Sequence, residues 1–170
     1  MPANKILVAL DDSEASRELV PAVAARAQAM PDVRLVLCHV LPALPPDLLE
    51  SPGAENPKEE QKVEGDLASA QARWTKAQTA QAAQLVEACA RRLEQHGIAR
   101  ERVEVSVTEP VHSHASLPDV LLDVARTRGC GTIAVGRKAF PALVSLFHAH
   151  VGEELRRRAD DLDVWIVDEG

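Results

Sequence analysis

Hydrophobic positions along this chain gather into five short runs, separated by longer stretches where they recur every three or four residues. "KILVAL", residues 5–10, is the first run and is bounded by "DDSE". An apolar run without alternation marks a strand covered on both faces. "VRLVLCHV", residues 33–40, is the second, and "VEVSVT", residues 103–108, alternates more cleanly, which moves it toward a sheet edge. "TIAVG", residues 132–136, and "DVWIVD", residues 163–168, complete the set.

Helical spacing fills the intervals. Leu19, Val20, Val23, Ala24 and Ala27 recur behind Ser13, a capping residue, with Glu14 in the first turn, so a helix is predicted to end near Pro31. Helical patterns also cover 85–95 and 117–128, and a last helix carries Glu153 and Glu154 at its start and Arg156 to Arg158 at its end, matching the helix dipole. Crossovers through helices return each strand parallel to the last, with one favoured hand. The prediction is a doubly wound α/β fold with a five-stranded parallel sheet and helices on both faces. Ligands of such folds bind outside the carboxyl ends of the strands, so the turns after the first and fourth strands carry the functional interest.

One stretch breaks the rhythm. "LPALPPDLLESPGAENPKEEQK", residues 41–62, is rich in proline and carboxylates and predicts a long surface loop. The Ala- and Gln-rich residues 63–84 extend the following helix toward its N-terminus with a thin stripe of Leu67, Ala70 and Trp74. With 170 residues and no internal repeat, residues 1–170 read as a single domain.

Composition narrows the partners. Hydrophobic residues make up 46% but aromatics only 2%, so Val, Leu, Ile and Ala must fill the core. A formal charge of −7, with no basic stretch interleaved with aromatics, argues against nucleic acid as a partner. No apolar segment reaches membrane-spanning length and no leader pattern opens the chain, so no membrane contact and a cytoplasmic location are expected. Cys38, Cys89 and Cys130 are far apart and each lies in an apolar run, as reduced core thiols do.

"ILVALDDSEAS" at the start, "LCHV" closing the second strand, "TIAVG" with its following loop, and the short final strand occur together. On these motifs the chain resembles the universal stress protein family, over nearly its whole length apart from 41–76 and 111–116. The resemblance implies strand order 3-2-1-4-5 and a homodimer paired through the final strand, residues 163–168. One branch of that family binds ATP with an aspartate ending strand one, a valine near the end of strand two whose backbone meets adenine, and a loop of form G-x-x-G, nine residues, then G-S or G-T. Asp11 and Val40 stand at the first two positions. Gly136 matches the first glycine, whereas Ala139 and Ala149 replace the second and third and His150, followed by Val151, replaces the hydroxyl.

Glycine serves such loops by reaching positive φ and letting backbone N–H groups approach phosphate. An alanine in that conformation costs about 1 kcal/mol. Asp12 adds repulsion toward polyphosphate, while Arg137 and Lys138 supply two cations. The resemblance therefore implies a degenerate pocket for ATP or a related adenine nucleotide, lined by Asp11, Val40, Gly136, Arg137, Lys138, Ala149, His150 and Val151. The alternative reading is a non-nucleotide interaction protein whose pocket is filled by side chains and the Pro-rich loop.

Other chemistry finds less support. Two H-x-H pairs, His112 with His114 and His148 with His150, follow strands three and four and suggest a transition-metal site. A helical H-x-H diverges by about 200°, and no cysteine or firm carboxylate ligand stands beside them, so solvated histidines and no metal are expected. His39 reads as a hydrogen-bonded histidine inside the fold and His96 as a helix C-terminus. Of the two neighbouring acids, Asp12 is expected to share the helix-entry capping with Ser13 and Asp11 to meet the ligand. No activated Ser or Cys stands at recognisable spacing from a base, and a nucleotide hydrolase lacks both a base and an Mg²⁺ ligand set, so no catalytic residue is assigned.

Overall fold

Each apolar run is a strand in the computed structural model, which describes residues 4–51, 53–109, 116–141 and 150–168. In chain order these are β1 (Lys5–Ala9), β2 (Arg34–Val40), β3 (Val103–Thr108), β4 (Thr132–Gly136) and β5 (Asp163–Val167). They pair in parallel in the order β3-β2-β1-β4-β5, with Leu7 set against Val36 on one side and Ile133 on the other. The expected order holds, and β3 is an edge strand, as its alternation indicated. Chain order reverses beside β1, so the carboxyl ends of β1 and β4 bound the switch point of the sheet.

Helices α1 (Glu14–Gln28) and α2 (Pro57–Gln95) cover one face, and α3 (Leu117–Thr127) and α4 (Val151–Arg158) the other. Ile6 and Val8 pack with Leu19, Val23, Val86 and Leu93 on the first face, while Leu7 and Ala9 pack with Leu121, Leu122 and Leu155 on the second. A central strand buried on both sides has no polar alternation to show, which is why β1 and β2 read as continuous runs. Cys38, Cys89 and Cys130 are buried free thiols.

Two arginines brace α1 and the connection that follows it. Pro21 lies inside that helix and has no N–H for the carbonyl of Arg17, four residues back. Arg92 of α2 supplies the missing donor, its Nη1 lying 2.8 Å from Arg17 O. Past the other end the Arg102 guanidinium donates to Ala27 O, Met30 O and Val33 O, each at 2.9 Å, tying the connection from α1 to β2 to the chain just before β3.

The loop expected over 41–62 is shorter than that. Pro57 opens α2, behind an Asn56 N-cap whose side chain accepts from Glu59 N at 3.0 Å, so 57–62 are helical. Proline suits a first helical position, and here it starts an element instead of breaking one. The side chains buried along this 39-residue helix begin only at Ala82. Residues 57–81, about 37 Å of helix at 1.5 Å per residue, come before the first of these buried side chains. The turn Pro46–Leu48 lies against this stretch, with Gln71 Nε2 donating to Leu48 O at 2.6 Å.

Candidate functional site

Asp11 stands two residues past the buried end of β1, where the backbone leaves the sheet for α1. Its Oδ1 accepts from Ser13 N at 3.1 Å, from Ser13 Oγ and from Ser16 Oγ at 2.5 Å. Ser16 Oγ in turn accepts from Asp11 N at 2.9 Å. The helix-entry bonds expected of Asp12 are made by Asp11 instead. Asp11 organises the helix entry, while the side chain of Asp12 is 89% exposed and meets only Arg17 among the described residues, at 3.2 Å. Burial of Ser16 against β1, five residues on from Asp11, draws the carboxylate inward, and no capping motif signals a partner at that distance.

The other carboxylate oxygen crosses to the β4 exit. Gly136 ends β4, and a Cβ there would lie 2.8 Å from Ala15 O, so the glycine lets α1 pack directly on the strand. Ala139 N donates back to Gly136 O at 3.1 Å, closing a tight turn over Arg137 and Lys138. Phe140 then adopts φ 56, a left-handed conformation unusual for a bulky residue, and donates its N–H to Asp11 Oδ2 at 2.7 Å. The exits of β1 and β4 therefore meet at one point. Ala139 N is thus spent on a carbonyl and Phe140 N on Asp11.

The remaining predicted residues divide. Arg137 faces the end of β5: its N–H donates to Val167 O at 2.8 Å, its Nε bonds Asp168, and its Nη1 lies 3.5 Å from Glu153. The guanidinium beside it holds the Asp168 carboxyl below the usual carboxylate range. Val40 is 8% exposed at the tip of β2 and pairs with Thr108, and His39 Nδ1 bonds Leu10 O at 2.9 Å, tying the tips of β2 and β1. Lys138 follows Arg137 in the turn, half-way along the β4 exit. His150 is the N-cap residue of α4; its carbonyl accepts from Glu153 N and Glu154 N, and its Nδ1 is buried with no hydrogen-bond partner among the described residues. Val151 is fully buried in the core on the α3 and α4 face, so its side chain packs the fold. Ala149, His112, His114 and His148 lie outside the described residues.

Sequence reasoning missed Ala15, Ser16, Phe140 and Asp168. Ala15 and Asp168 act on the loop only through folding, and a phenylalanine carries no signal for positive φ. Among the described residues no group of three or more His, Cys, Asp or Glu is placed to hold a metal, and no helix is long and apolar enough to cross a membrane.

The comparisons agree with this architecture. The model of the Universal stress protein family matches residues 2–168. A solved structure of a protein from that family from Burkholderia pseudomallei is 21% identical, with 97% of this chain and 96% of that one covered and a TM-score of 0.65. A universal stress protein in complex with cAMP is 19% identical, with coverage of 96% and 95% and a TM-score of 0.61. The universal stress protein from Archaeoglobus fulgidus in complex with dAMP is 17% identical, with coverage of 98% and 96% and a TM-score of 0.51. A search of curated proteins returns no match. At such identities the solved structures share the fold, and the family model, spanning nearly every residue, places the chain in the universal stress protein family.

Proposed function

We propose that this protein acts in the stress response as a cytoplasmic homodimer that binds an adenine nucleotide weakly at the carboxyl ends of β1, β2 and β4. The residues assigned to that pocket are Asp11, Val40, Gly136, Arg137, Lys138, Ala149, His150 and Val151. The observation that carries the reading is the bond from Phe140 N to Asp11 Oδ2 at 2.7 Å, which brings the β1 and β4 exits together at the switch point. Relatives sharing the fold are complexes with cAMP and dAMP. Exposed Asp12 and the inward Asp11 repel a triphosphate more than a monophosphate, so ATP is the weaker ligand. No turnover is assigned.

The dimer is supported by the place of β5. It ends the sheet, its Val164, Trp165, Ile166 and Val167 are only half-buried, and an open apolar edge invites another strand.

Calorimetric titration with AMP, cAMP and ATP, with and without Mg²⁺, tests the pocket. Saturation near a Kd of about 1 mM, AMP or cAMP ahead of ATP, is expected. No saturation with any of them would favour the second reading, a non-nucleotide interaction protein. The observation on its side is the same hydrogen bond, since a carboxylate already resting on the loop amide leaves less for a phosphate to gain.

A further inference from the structure

We propose that the N-terminal half of α2 is a docking surface for a basic amphipathic helix of a partner protein, received along Val63, Leu67, Ala70 and Trp74. The proposal uses no residue of the nucleotide pocket or of β5 and does not depend on either.

The helix is long for what it buries. Fully buried side chains begin at Ala82, yet ahead of that point Val63, Leu67, Ala70 and Trp74 are half-buried in one stripe. Their spacing of four, three and four residues is that of helices packed side by side. At about 100° per residue the four fall within about 60° of one another, and the stripe is about 17 Å long. The turn Pro46–Leu48 touches it from one side, through the bond from Gln71 to Leu48 O, and the next residue, Leu49, is 61% exposed.

Charge selects the occupant. Glu59 and Asp66 flank the stripe on one side and Glu60 and Glu64 on the other, each about 50–90° from its centre. Lys58, Lys62, Arg73 and Lys76 lie further round, at about 90–150°. All eight are exposed, and among the described residues none of the four acids pairs with a cation. Beside them the connection from β2 exposes Asp47, Glu50 and Glu55, and no base stands between Val40 and Lys58. Residues 41–66 hold seven acids against two lysines, a net −5 within a chain of −7.

An apolar stripe between two acidic rows is complementary to a helix whose own stripe is bordered by Lys and Arg, and charges in those flanking positions decide which helix is accepted. An anionic lipid surface is repelled by the same rows. A second copy brings the same acids and the same net charge, so it gains no such complement.

The probe is a synthetic helical peptide of leucine and lysine, about fourteen residues long to span the stripe at 1.5 Å per residue. Its counterpart carries glutamate in place of lysine. Trp74 and Trp165 are the two tryptophans, so Trp165→Phe leaves Trp74 emission as the signal. The lysine peptide should shift that emission to the blue and saturate with a Kd of about 10 μM. Raising salt from about 0.05 to about 0.5 M should weaken it at least about tenfold. Leu67→Gln should weaken it as much, and Glu64→Lys with Asp66→Lys should transfer the preference to the glutamate peptide, with the thermal transition retained in both variants.

Equal affinity of the unmodified protein for the two peptides overturns the proposal, as does a Kd that neither variant changes. A solution mass that halves in Leu67→Gln gives the stripe to a second copy, and the same blue shift on phosphatidylglycerol vesicles gives it to a membrane; either result overturns the basic helix as occupant.

Discussion

Gly136→Ala is expected to cost about 3 kcal/mol of folding stability, at the upper end for an overpacked site. The added Cβ would lie 2.8 Å from Ala15 O, 3.0 Å from Ala15 C and 3.0 Å from Ala15 Cβ. Two of those atoms are backbone, so relief requires α1 to move off β4, and α1 is anchored along its length by Leu19, Val20, Val23 and Ala27. Gly152→Ala is the internal comparison. Its Cβ would approach Ile166 Cγ1 at 2.9 Å and Val135 Cγ1 at 3.1 Å, both side-chain atoms that can turn aside. Urea unfolding of the two variants should separate them, with the Gly152 variant losing about 1 kcal/mol. Equal losses would mean that the helix-to-strand contact yields as easily as a side chain.

Asp11→Ala is expected to be nearly as damaging, at about 3 kcal/mol, for an electrostatic reason. One carboxylate serves Ser13 N, Ser13 Oγ, Ser16 Oγ and Phe140 N, and hydrogen bonds to a charged acceptor contribute about 1.5–3 kcal/mol each before solvent screening of a half-buried group reduces them. The loss also releases Phe140 from its left-handed conformation, since the bond that offsets that strain is gone. Asp11→Asn keeps the size and an acceptor but turns an N–H₂ toward one of these donors, and should fall between. Thermal denaturation, with a shift of about 2–4 °C per kcal/mol for a chain of this size, measures both. A variant that keeps wild-type stability would show that the β1 and β4 exits are held together by packing alone.

Legibility in the sequence follows how local each signal is. The strands were readable because burial on both faces leaves an unbroken apolar run, and "KILVAL" and "TIAVG" are β1 and β4 almost to the residue. Strand order came from the resemblance, since periodicity alone does not distinguish one parallel order from another. The start of α2 was misplaced because proline and carboxylates mark both loops and first helical turns, and only the Asn56 cap tells them apart. At the site, Asp11 and Gly136 were found but their duties were not. Ser16 lies five residues from Asp11 and Phe140 lies 129 residues away, and hydrogen bonds at such separations depend on the finished sheet.

The N-terminal part of α2 bears on calorimetry. Heat capacity of unfolding and denaturant sensitivity both scale with surface newly exposed when the chain opens. Residues 57–81 bury no side chain fully before unfolding, so melting them uncovers little that water does not already wet. Both quantities should therefore correspond to a polypeptide appreciably shorter than 170 residues, while ellipticity at 222 nm reports the full helical length.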